Sequence, residues 1–254
     1  MPNLGIFIGN GLIRKMDCKV VKCAMKGKKL LCLWSICMIC LALGSCMPDI
    51  EELNEGTVNG EPGSRSYVDL GLSVKWANCN VGAEHPWEYG GYYCWGETYE
   101  KSSYYIDDYK CYYETEYSEY GYDYEFLSYD ISGSSNDVAY YQWGYSWRMP
   151  TLDEIQELMN DCSWRWTYVR GVGGYMVTGP NGNSIFLPAA GDAAGSDYEE
   201  QGSSGYYWCG HLAEDEGDAD GHDAYLIGFF YGDGTSLYYG DRSFGFSVRP
   251  VYKY

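Results

Sequence analysis

The residues with the clearest capacity for chemistry are Glu216-Gly-Asp-Ala-Asp-Gly-His-Asp223. Glu216, Asp218, Asp220 and Gly221 follow the alternating donor pattern that opens a calcium-binding loop, and Asp223 adds a fourth carboxylate. The second half departs from that pattern. The bidentate acid due after Gly221 falls on Ile227 and no helical periodicity flanks the block, which excludes an EF-hand. A looser calcium site on Glu216, Asp218, Asp220 and Asp223 is the one metal expectation, weighed against a solvated acidic loop. His85, His211 and His222 stand apart from each other and from any Cys-x-x-Cys or His-Glu-x-x-His spacing, so no zinc centre is expected. There is no Gly-x-Ser-x-Gly elbow and no phosphate-cradling glycine loop, and no organic cofactor is implied.

A second candidate is a surface for recognition. Residues 99–129 are rich in Tyr and acid, as in Tyr112-Tyr-Glu-Thr-Glu-Tyr-Ser-Glu-Tyr-Gly-Tyr-Asp-Tyr-Glu125. The stretch reads as an insertion, either a two-stranded ribbon with one aromatic face or a loop kept open by like charges. Tyr rings stack on sugars and bring amphipathic area at low entropic cost. Tyr112, Tyr113, Tyr117 and Tyr120 are the candidate contacts, with Trp95 and Trp208 from two glycine-rich aromatic blocks.

The elements that must carry these loops centre on Trp143–Leu158. An aromatic run stops at Pro150, and Thr151 with Glu154 spells a capping box before Leu152, Ile155, Leu158 and Met159 on one helical face. A shorter helix is expected to begin at Ser135 or Asn136. Residues 66–83 suit two short strands turning at Gly71, and Ser163–Val169 alternates as a strand. Pro180-Asn-Gly182 and Gly232-Asp-Gly234 each lie between apolar runs and predict hairpins; the last strand is placed over Phe244–Tyr252. Short, mostly antiparallel strands with two segregated helices make an α+β domain.

Residues 1–45 hold seven Lys/Arg and one acid, and the apolar run Leu30–Gly44 is too short to span a bilayer. Lys26, Lys28 and Lys29 precede it and small residues end it, as in a secretory signal. Leu43-Gly44-Ser45-Cys46 resembles a bacterial lipobox, which makes Cys46 the lipid-attachment residue, the first of the mature chain and its link to a membrane. Met25 then reads as the true start, with residues 1–24 a wrongly assigned upstream extension and 25–45 the signal peptide. Residues 46–65 read as an acidic flexible tether and 66–254 as one domain. Asp49, Glu51 and Glu52 look like the acidic tag that sends lipoproteins of Bacteroidetes to the cell surface, so an outer-membrane, surface-exposed protein is expected.

Beyond residue 45 the chain carries ten Lys/Arg against 35 Asp/Glu, a net of −25. Such a field repels nucleic acid, which is held through Lys/Arg on phosphates. Cys79, Cys94, Cys111, Cys162 and Cys209 are odd in number, so at least one thiol stays free.

The run Tyr67–Ala83, the block Tyr92-Tyr-Cys-Trp-Gly-Glu97, Trp147-Arg-Met-Pro-Thr151, Gly179–Gly191, Gly205-Tyr-Tyr-Trp208 and Ser247-Val-Arg-Pro-Val251 together resemble the Fibrobacter succinogenes major paralogous domain. The resemblance covers about residues 66–252. It implies a C-type-lectin-like fold, in which long loops often hold calcium, and a lipoprotein whose domain binds a glycan or another envelope protein. Cys94 and Cys209 stand where the family more often has a small residue, which suggests a disulfide between those blocks. The related formylglycine-generating activity uses cysteines near the chain end, and none follows Cys209. The competing classes are a carbohydrate-active enzyme with two carboxylates about 5 to 10 Å apart and a structural subunit of a surface assembly, marked by an apolar patch or unpaired edge strand.

Overall fold

The computed structural model describes residues 5–8, 11–15, 65–114, 116, 122–213 and 221–253. Cys46 and the tether up to residue 64 lie outside the described residues. β1 (Gly5–Ile8) pairs antiparallel with β2 (Gly11–Lys15). The rest is strand-rich, with small antiparallel sheets and two α-helices among the described residues. None of these helices is long and apolar enough to cross a membrane.

β3 (Tyr67–Val68) and β4 (Lys75–Ala77) pair as the sequence suggests. Gly71 takes a positive φ of 77° between them, with its N–H donating to the Asp69 carboxylate at 2.8 Å, an Asx-type turn. A ribbon, β5 (Tyr112–Glu114) with β6 (Tyr122–Tyr124), arises from the insertion. α1 (Val138–Trp143) starts two to three residues later than expected, because Asp137 is its cap. β7 (Trp147–Arg148) leads into α2 (Leu152–Asp161), where both halves of the Thr151/Glu154 capping box are formed. Glu154 also takes both terminal nitrogens of Arg148. Although burial opposes its charge, that guanidinium and the Thr151 N–H hold the Glu154 carboxyl below the usual range.

β8 (Ser163–Val169), β9 (Val172–Thr178) and β10 (Ser184–Pro188) form one antiparallel sheet in that order. Asn181-Gly182 does turn the β9–β10 hairpin, inside a five-residue connection closing on the Thr178–Ser184 pair. β11 (Asp192–Ala194) and β12 (Asp197–Glu199) make a small hairpin. β13 (Ser204–Leu212), β14 (Asp223–Phe230) and β15 (Gly234–Asp241) make the central sheet, which β2 extends beyond β15. β16 (Val251–Tyr252) lies between β4 and β7. The expected strand over Phe244–Tyr252 shrinks to these two residues plus single bridges at Gly245, Phe246 and Ser247. Pro250 offers no N–H to a ladder, and Arg249 turns its side chain into the core.

The central sheet is buried on both faces, which is why β13 and β14 read as nearly continuous apolar runs. Tyr206, Trp208 and Leu226 pack on one side with Tyr93, Trp95, Phe246 and α1 residues Val138 and Ala139. Tyr207, Ile227 and Phe229 pack on the other with Trp76, Val177, Ile185 and the α2 residues Ile155 and Leu158. α2 is pinned to β13 by the Gly210 N–H on Pro150 O and the Leu152 N–H on His211 Nδ1. Arg249, 2% exposed, donates to Asn80 Oδ1 at 2.8 Å, Ala77 O at 3.0 Å and Phe186 O at 2.8 Å, joining the closing segment to both neighbouring sheets. Burial pushes its pKa down, and its partners are uncharged oxygens.

Candidate binding surface

The insertion has a small core of its own. Tyr104, Tyr109, Cys111 and Tyr124 pack with Tyr92, Cys94, Ala190 and Ala193. Tyr109 donates to Trp95 O at 2.6 Å and Tyr104 to Tyr92 O at 2.9 Å, so buried hydroxyls are satisfied by the domain's backbone. The ribbon register sets Tyr112 opposite Tyr124 on one face and Tyr113 opposite Asp123 on the other. The aromatic face predicted for the ribbon therefore docks the insertion. Tyr124 is buried and Tyr112 half-buried against this core. The opposite face carries Tyr113, 52% exposed, and Tyr117 and Tyr120 lie outside the described residues.

Arg242 ties the insertion to the neck of the acidic loop. It is 1% exposed, with its guanidinium 4.8 Å from the Trp95 ring, 5.4 Å from Tyr124 and 5.7 Å from Tyr109. Its Nε donates to Tyr109 Oη at 3.1 Å, Nη1 to Gly221 O at 2.9 Å and Nη2 to Glu125 O at 3.1 Å. Beside it His222 Nε2 meets Asp123 Oδ1 at 3.2 Å, and its ring stands edge-on to Tyr124. The spacing of Arg242 within the sequence gave no sign of this role. The available signal was a lone cation after a Tyr-rich strand in a chain so acidic.

Trp95 and Trp208, expected on a ligand surface, are core residues at 1% exposure each. Trp95 donates its indole N–H to Cys209 O and Trp208 to Tyr93 O, and Phe246 covers the Trp208 ring at 4.5 Å. Close glycines let neighbouring strands bury these rings, so neither presents a face to a ligand. What is exposed around the insertion is Tyr99, Tyr105, Tyr113, Phe126 and Tyr129. Tyr99 pairs hydroxyl to hydroxyl with exposed Tyr141 on α1, and Phe126 packs edge-on to Tyr129 at 5.0 Å.

Of the calcium candidates, Glu216, Asp218 and Asp220 lie outside the described residues, while Asp223 opens β14 opposite Asp241. Among the described residues no three His, Cys, Asp or Glu side chains converge as a metal set. The suggested Cys94–Cys209 bridge is not formed. The five thiols of the domain are free, Cys94 donating to Ser243 O in the insertion core and Cys209 buried on the α2 side of the central sheet.

Replacing Arg242 by Ala is expected to cost about 2–3 kcal/mol, from two carbonyls left without donors and the lost ring contacts. Limited proteolysis should then cut within residues 99–129 well before the rest of the domain. Arg242→Lys should behave similarly, since an ammonium cannot reach three acceptors in one plane. Unchanged protease protection would show that the insertion is held by something else.

No family model, curated protein or solved structure matches this chain.

Proposed function

We propose that this chain is an envelope lipoprotein, tethered through an acylated Cys46, whose C-type-lectin-like domain is of the Fibrobacter succinogenes major paralogous type and binds a glycan without transforming it. One observation carries the binding role: exposed Tyr99, Tyr105, Tyr113, Phe126 and Tyr129 sit on an insertion whose base is fixed by Arg242 and its own buried tyrosines. Rings already held in place lose little entropy on meeting a sugar. The strong acidity favours a neutral or cationic saccharide over an anionic one. The family placement is supported by the resembling blocks supplying much of the core, with Trp76, Trp95, Met149, Leu187, Trp208 and Val248 all buried.

Purified protein on a glycan array should retain a defined set of neutral sugars. A Tyr99→Ala/Tyr113→Ala/Tyr129→Ala variant should lose at least about tenfold in affinity, as hot-spot tyrosines do, with its melting temperature unchanged. A blank array would overturn the glycan assignment and move the role to a protein partner. Fatty-acid labelling of the protein, abolished in Cys46→Ala, tests the anchor.

A further inference from the structure

Asp192 opens β11 at 0% exposure, and among the described residues no other residue donates a hydrogen bond to either of its carboxylate oxygens. Buried carboxylates are ordinarily paired or hydrogen-bonded, so an orphaned one calls for an explanation. Its surroundings are oxygen-rich and negative. The β11–β12 register places Glu199 directly across from it, and Glu200 follows in a left-handed conformation with φ 57°. Glu200 Oε2 accepts from Tyr206 Oη at 2.9 Å on the neighbouring strand β13, where Ser204 is also buried. The turn is tight: Gly191 has φ 65°, and a Cβ there would lie 1.9 Å from Glu199 O. The backbone of residues 199–201 is thereby pressed against the start of β11. Burial first, then the charges of Glu200 and Glu199, push the Asp192 carboxyl up to about 7, with its own backbone N–H opposing the shift.

We propose that Asp192 and Glu200 are the charged ligands of a site for a hard divalent cation of the calcium type. Tyr206 and Ser204 hydroxyls and carbonyls of the 199–201 turn complete its oxygen shell. Calcium accepts hydroxyl, carbonyl and carboxylate oxygens in flexible geometry, so two acids suffice as its anionic ligands. The cation neutralises a carboxylate that the fold otherwise buries without a donor. This site draws on no residue of 214–223 and is independent of any glycan.

The test is the melting temperature of the purified protein in calcium chloride against EDTA at pH 8. A rise of roughly 5 °C is expected at about a hundredfold excess over Kd. Asp192→Asn, which keeps the side chain's size, and Glu200→Gln should each abolish that rise, while Asp218→Ala/Asp220→Ala should retain it. No rise in the parent protein, a rise that survives Asp192→Asn, or a rise lost with the loop variant would each overturn the assignment.

Discussion

Asp137→Asn should destabilise the domain by about 4 kcal/mol, more than a helix cap ordinarily contributes. The carboxylate is buried and accepts four backbone N–H groups. Oδ1 takes Ala139 and Tyr140 at 2.8 and 3.1 Å, and Oδ2 takes Gly133 and Met149 at 2.7 Å each. It therefore caps α1, closes the turn before it and holds the strand end leading to Pro150. Burial pushes its pKa up, and the four N–H groups oppose that shift. An Asn can keep one oxygen on one pair of donors, but its NH2 must then face the other pair, leaving two buried N–H groups without acceptors and losing charge-assisted bonds. Denaturant unfolding of the two proteins measures the difference. A loss below about 1 kcal/mol, the size of an ordinary cap, would mean that the four contacts are not made together in solution.

The same residue shows what a sequence can and cannot disclose. Thr151 and Glu154 were legible because a capping box is local, its two hydrogen bonds closing within three residues. Ser134, Ser135, Asn136 and Asp137 are all competent caps, and the choice among them is made by Gly133 and Met149, outside the helix. The hairpins at Asn181-Gly182 and Gly232–Gly234 were legible for the same local reason, carried by glycines at φ 89°, 88° and 77°. Binding residues were harder. Tyr113 and Tyr124 stand in the same Tyr-acid alternation, yet one faces solvent and the other the core, because the choice depends on what Arg242 packs against more than a hundred residues later. Asp192 likewise looks like any acid after a glycine; its isolation follows from β13 closing over it.

Asp192→Asn, measured in EDTA, should stabilise the protein in a manner that depends on pH. With the folded carboxyl at about 7 and an ordinary value of 3.8, the folded state holds a proton that the unfolded state has released between those limits. Wild-type stability from this group is therefore undiminished below about pH 4, falls as pH rises toward neutrality, and is at its lowest above pH 7. Asn carries no such charge. The variant should match the parent near pH 4 and exceed it by up to about 4 kcal/mol at pH 8, taking 1.36 kcal/mol per pKa unit. Melting temperatures of both proteins across that range give the comparison. A gap that does not widen with pH would mean that the carboxylate finds a donor.

β16 lies between β4 and β7, and β4 in turn pairs β3 at the start of the domain. β16 thus completes a sheet begun by β3, with Lys253 N–H reaching back to Ser146 O. A nascent chain can assemble its hairpins early, yet β4 and β7 remain unjoined until β16 is made. Deleting residues 251–253 would accordingly unzip the seam through which β4 reaches β7.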